Sequence, residues 1–198
     1  VTVRAVPALD SDRAAESHRR SAVVDARIEQ TALAILRGRG PLAVTIESVA
    51  AESGVAKTTI YRRFDNREAL LRSVIGSATQ IVAIPSELTA YETLRWYLGH
   101  ARDTIEFIVG RGAVAAILVN DDPQFTKLIL EMIRTRSMPL RENLQQRGLN
   151  GELKAGLDIE LVISVLLGTF VSESIRGHVT DQDWADDVLT LLWPALAP

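Results

Sequence analysis

Residues 45–71 read TIESVAAESGVAKTTIYRRFDNREALL, and this stretch decides the fold. Ile46, Val49 and Ala50 put an apolar face on a short helix, and Thr45 just before it offers a hydroxyl to the unpaired amides of the first turn. Ser53-Gly54 breaks that helix, with glycine suited to the left-handed turn position. A second short helix is expected over about 56–64. Ile60 and Phe64, four residues apart, anchor it inward, while Lys57, Thr58, Thr59, Arg62 and Arg63 make its outside polar and basic. Asp65 or Asn66 then caps a further helix carrying Leu70, Leu71, Val74, Ile75, Ala78 and Ile81. Two short helices joined by a tight turn, the first bracing and the second presenting short side chains and cations, are what a helix-turn-helix needs to enter a major groove.

Working outward, Val24, Ile28, Ala32, Ile35 and Leu36 recur at helical spacing over 21–39, ahead of a stop at Gly38, Gly40 and Pro41. Residues 1–20 are polar and charged with little apolar periodicity, and are expected to be a flexible tail, solubilising or tracking DNA as a basic arm. Beyond 82 a second helical body is expected, with helices at about 87–109, 112–120, 123–147, 158–177 and 182–196. Pro139 should kink or split the long central one, because proline lacks an N–H and clashes with the preceding turn. The resulting expectation is an all-α chain of about nine helices: a tail over 1–20, an N-terminal three-helix helix-turn-helix head within 21–82, and a ligand-binding and dimerisation body over 83–198.

Apolar content of 47% and charge of 24% are ordinary globular values, and 198 residues suffice for a sizeable core. The absence of cysteine removes disulfides, thiolate nucleophiles and Cys-based zinc sites. No apolar leader opens the chain, and the most apolar window, 159–171, is too short to span a bilayer, so a cytoplasmic, DNA-associated protein without membrane contact is expected. The net charge of −3 is unevenly spread. Residues 1–76 carry 12 Lys and Arg against 9 Asp and Glu, and residues 77–198 carry 10 against 16. A basic head on an acidic body suits a protein that offers one end to phosphates.

The 45–71 segment closely resembles the head of the TetR (tetracycline-repressor) family, whose signature is roughly T-x-x-x-I-A-x-x-x-G-V-[S]-x-G-[TS]-[LI]-Y-x-[HY]-F-x-[SN]-K-E-x-L. Thr45, Val49, Ala50, Gly54, Val55, Thr59, Ile60, Tyr61, Phe64, Asn66, Glu68 and Leu70 fall in register. Ala56 stands where Ser is usual, Thr58 where Gly is common, Arg63 for His or Tyr and Arg67 for Lys, which leaves the preferred DNA sequence open. The resemblance implies that Thr45 and Tyr61 give hydroxyls to phosphates and that Lys57 and Arg67 neutralise phosphates, contacts that set position and salt dependence. Thr58, Thr59 and Arg62 are the candidates for base edges, and Arg63 could serve either role. A solvated charged face is the plain alternative for these cations, and a core aromatic for Tyr61.

The 158–177 helix is apolar almost all round, and the final helix shares the excess. One subunit can bury only part of that surface. Leu161, Val165, Gly168, Thr169, Ser172, Trp184, Val188 and Leu192 are therefore expected to pair two copies into a four-helix bundle, placing two heads on a palindromic duplex operator. The family usually holds a pocket in its body. Trp96, His100, Thr104 and Phe107 lie at near-helical spacing and could be faced by Met132, Arg136 and Phe170, a lining suited to a small, mainly hydrophobic inducer or else plain core. No cofactor, metal site or catalytic residue is expected: His18, His100 and His178 have no ligand spacing, and neither a phosphate loop nor a nucleophile elbow is present. Two rival readings remain beside the ligand-released repressor. One is a DNA-binding adaptor of the same fold that acts through protein partners, and a remote one is an enzyme.

Overall fold

The computed structural model describes residues 9–78, 83–105, 110–176 and 183–198. These form nine α-helices and one 3-10 turn, with no strand among the described residues: α1 (Leu9–Arg39), the 3-10 turn (Pro41–Ala43), α2 (Ile46–Ser53), α3 (Lys57–Tyr61), α4 (Arg67–Ala78), α5 (Ala90–Asp103), α6 (Arg111–Val119), α7 (Pro123–Leu149), α8 (Ile159–Ile175) and α9 (Trp184–Leu196).

The helices pack around two apolar cores. The first gathers Ile28, Ala32, Ile35 and Leu36 of α1 with Val49 of α2, Ile60 of α3 and Leu70, Leu71, Val74 and Ile75 of α4. It also takes in Phe125, Leu128 and Ile129 from the start of α7, so the head is completed by a helix more than forty residues later in the chain. The second core joins Leu94 and Leu98 of α5, Leu140 and Leu144 of α7, Ile163, Leu166 and Phe170 of α8, and Leu189 of α9. At 1.5 Å per residue the 27 residues of α7 run about 40 Å, and the helix thereby belongs to both cores.

Three sequence expectations change here. Helix α1 begins at Leu9 rather than near 21, so only residues 1–8 of the expected tail lie outside the described residues. The i,i+3 and i,i+4 pairs of Glu16 with Arg19 and Arg20 support the added turns, a contribution that apolar periodicity does not register. Helix α3 stops at Tyr61. The amides of Arg63 and Phe64 both turn back to the Ile60 carbonyl, a tightened end that puts Arg62 and Arg63 on a turn. Helix α7 runs unbroken through Pro139, whose ring faces a cavity; flanking turns packed into both cores hold the helix across the one missing N–H.

Candidate functional site

The head is set by its caps. The Thr45 hydroxyl accepts the Ser48 amide at 3.0 Å, and the Ser48 hydroxyl accepts the Thr45 amide at 3.0 Å while donating to the Ala43 carbonyl at 2.7 Å. This reciprocal box fixes the start of α2. Gly54, with φ +68°, ends it, and a side chain there would be strained. Asn66 Oδ1 accepts the Ala69 amide at 2.9 Å and starts α4. Between these fixed points α3 has little choice of pose: Ile60 and Phe64 are buried beneath it.

On the outside of α3, Lys57, Thr58, Tyr61 and Arg62 are exposed, and Thr59 is half-buried. Tyr61 is 49% exposed, which removes the reading of it as a core aromatic. Lys57 makes one exposed ion pair, to Glu47 at 3.4 Å, and Arg62 makes none among the described residues. These four side chains are open to solvent. Arg63 and Arg67, expected to face DNA, turn inward. Arg63 pairs with Asp25 of α1 and donates to the Ser21 hydroxyl at 3.1 Å and the Thr59 carbonyl at 3.3 Å, pinning α3 to α1. The Thr45 hydroxyl is likewise occupied by its cap. The cause is common to all three: each side chain reaches an unsatisfied acceptor or donor within the fold, and such partners are invisible in linear sequence.

Arg67 is the most heavily engaged cation in the head. It donates to the Val44 carbonyl at 2.7 Å, the Pro41 carbonyl at 2.6 Å, Asp122 at 2.5 Å and Gln124 Oε1 at 3.3 Å. Asp122 is itself buried and caps α7 by accepting the Phe125 amide at 3.0 Å. Burial pushes its carboxyl up, but the Arg67 guanidinium and the Phe125 and Gln124 amides outweigh this and hold it below the usual carboxylate range. Asp122 and Gln124 were legible only as a helix start. Arg67, Asp122 and Gln124 form a joint between the head and α7, reinforced by Arg72, which pairs with Glu68 and Glu131.

From the joint α7 leads to a cavity of about 270 Å³ among α5, α6, α7 and α8. Trp96, His100, Thr104, Met132 and Arg136, proposed from spacing alone, come together on its wall. Phe107 lies outside the described residues. Phe170 does not line the cavity. It is buried in the second core, edge-on to Trp184 at 5.8 Å, because α8 turns Leu167 and Val171 to the cavity instead. Sequence reasoning missed the α6 side chains Val114, Ile117 and Leu118, since an apolar helix shows no preferred lining face. His100 stacks on Trp96 at 4.0 Å, and its Nδ1 lies 3.1 Å from the Trp96 carbonyl; a carbonyl can only accept, so that nitrogen donates. Burial pushes the Tyr97 phenol up, so it stays neutral in the wall. The Arg136 guanidinium is half-buried and burial pushes it down from its ordinary value.

Along α8, Leu161, Val165, Gly168 and Ser172 are exposed at helical spacing, Leu161 at 60%, and on α9 Leu191 is 80% exposed. Thr169, Val188 and Leu192 are half-buried. Trp184 differs from its expected place: it is 8% exposed, packed into its own subunit against Phe170. No helix among the described residues is long and apolar enough to cross a membrane.

Residues 28–74 match the model of the bacterial regulatory proteins of the tetR family. The chain is 29% identical over 164 residues to YdeS, an HTH-type transcriptional regulator of Bacillus subtilis (strain 168), covering 78% of this chain and 80% of that one. Among solved structures, the fold resembles the transcriptional regulator FadR of Bacillus subtilis in complex with stearoyl-CoA, with 22% identity, coverage of 84% and 96%, and a TM-score of 0.65. It also resembles the ketosteroid transcriptional regulator KstR2 of Mycobacterium tuberculosis, with 19% identity, coverage of 88% and 95%, and a TM-score of 0.59.

Proposed function

We propose that this chain, whose residues 28–74 match the tetR family model, is a transcriptional regulator of that family and works as a homodimeric repressor whose two heads bind a palindromic operator and are released by a small ligand held in the body cavity. Lys57 and Tyr61 serve phosphates, and Thr58, Thr59 and Arg62 read base edges. Arg63, Arg67 and Thr45 act indirectly, by holding the recognition helix. The exposed apolar stripe of α8 with Leu191 of α9 supports pairing of two copies.

The observation that carries the ligand-responsive part is the continuity of α7. One helix is capped by Asp122 in the joint with Arg67 and lines the cavity through Met132 and Arg136, about 20 Å further along its axis. A ligand that prefers one packing of the cavity wall biases the position of that helix, and with it the separation of the two heads. An adaptor acting only through protein partners would have no use for a cavity in the body, which weighs against that reading.

The test is selection of bound sequences from randomised duplex DNA by the ligand-stripped protein, followed by binding at several salt concentrations. Two-fold related half-sites about one helical turn or more apart, with affinity falling steeply with salt, are expected. Arg62→Ala should relax preference at one position of each half-site. An unchanged profile would remove Arg62 from base reading, and no enriched site at all would overturn the operator-binding proposal.

A further inference from the structure

Arg136 stands out among the cations of the body. Arg95 is bound by Asp186, Arg141 by Glu160, and Arg147 by Glu152, Asn143 and the Leu88 carbonyl. Arg136 is half-buried, yet among the described residues it makes no ion pair and no hydrogen bond. It lies on the cavity wall with Trp96, Met132, Ile133, Leu140 and Val171, where polar side chains are few. On its other side is a more open recess carrying Arg72, Glu131 and Arg134, and the one carboxylate there, Glu131, is taken by Arg72. Among the described residues neither side therefore offers the guanidinium an anion.

A guanidinium has five N–H donors in a fixed fork and keeps its charge. Removing it from water without a partner is costly, and filling the cavity with a neutral apolar molecule would deepen that cost. A ligand whose apolar body fills the cavity and whose single acidic group meets the fork would remove it, through two parallel charge-assisted hydrogen bonds. We infer that the cavity selects hydrophobic monocarboxylic acids, with Arg136 as the residue that recognises the carboxylate. Tyr97 and Thr104 are hydroxyl donors on the same wall, and His100 adds its ring at the exposed edge.

This inference rests on the cavity being the ligand site, and the experiment separates the two. The ligand-stripped protein is titrated calorimetrically, below micelle-forming concentrations, with decanoate, decanol and decyltrimethylammonium, three probes of one chain length and different heads. Decanoate should bind about tenfold or more tightly than decanol, and the ammonium most weakly. Arg136→Gln should bring decanoate down to the level of decanol while leaving decanol within about threefold of its original affinity. Arg136→Lys, which keeps the charge and loses the fork, should fall between. Ala101→Phe, which fills the cavity, should weaken every probe. Equal affinity for decanoate and decanol in the unaltered protein overturns acid selection and leaves the cavity standing. Binding of no probe, or binding indifferent to Ala101→Phe, removes the cavity as the ligand site and the inference with it.

Discussion

Arg67, in the joint between head and body, and Arg136, in the wall of the cavity, are both held largely out of water, and they keep opposite company. Arg67 spends its donors on two backbone carbonyls, a buried carboxylate and an amide oxygen, all supplied by the chain itself. Arg136 has no such partner among the described residues, and only desolvation acts on it. A buried cation that the fold satisfies locks elements together. One that the fold leaves unsatisfied, beside a hole, has a place for something from outside. The same side-chain type thus serves as a rivet at the start of α7 and, in the proposal above, as a receptor at its middle.

The contrast can be broken most forcefully at Asp122. Asp122→Ala strands Arg67 and removes the cap of α7, and should cost about 3–5 kcal/mol in urea unfolding, the range for breaking one side of a buried pair. A loss under about 1 kcal/mol would show that the joint is not a rivet. The same carboxylate should be visible in the pH dependence of stability. Its folded pKa is depressed, so its contribution is complete above the ordinary carboxylate range and is lost as pH falls through the lowered value. Asp122→Asn should flatten that acid limb, below about pH 4, while sparing neutral-pH stability more than Asp122→Ala does.

Removal of the other arginine should carry the opposite sign. Arg136→Met leaves no partner stranded and fills the wall with apolar atoms, so stability should stay within about 1 kcal/mol of the original, shifted upward if at all. A loss as large as that of Asp122→Ala would mean that Arg136 already has a structural partner. The smallest effect on folding belongs to Lys57, which neither locks nor recognises within the fold. Lys57→Ala should leave the unfolding midpoint unchanged and lower the slope of log affinity for DNA against log salt by about 1.8, about 0.9 for each of the two heads.

Much of the head was legible because its signals are local. A cap such as Thr45 acts on an amide three residues away, Gly54 on its own φ, and Ile60 with Phe64 on one helical face, so the order of residues carries the whole effect. The α5 side of the cavity could be read for the same reason, since Trp96, His100 and Thr104 share a stripe by spacing alone. Phe170 was misplaced because an apolar helix such as α8 has no distinct polar face to orient it, and Trp184, at the start of α9, packs edge-on against Phe170. Which side turned to the cavity was settled by edge-on packing of these two rings.

The sequence by itself determined the all-helical character, the helix-turn-helix and the exposure of Lys57 and Arg62, because helical period, capping and turn chemistry act over three or four residues. Tertiary structure alone decided that Arg63 and Arg67 face inward, that α7 crosses Pro139 unbroken, that α7 completes the head core, and that Arg136 has no partner among the described residues. These depend on which acceptors, rings and carboxylates arrive from well beyond the reach of one helical turn, 23 to 55 residues away for the Asp25 partner of Arg63 and the Val44, Pro41 and Asp122 partners of Arg67, and a charge finds its partner through space rather than along the chain.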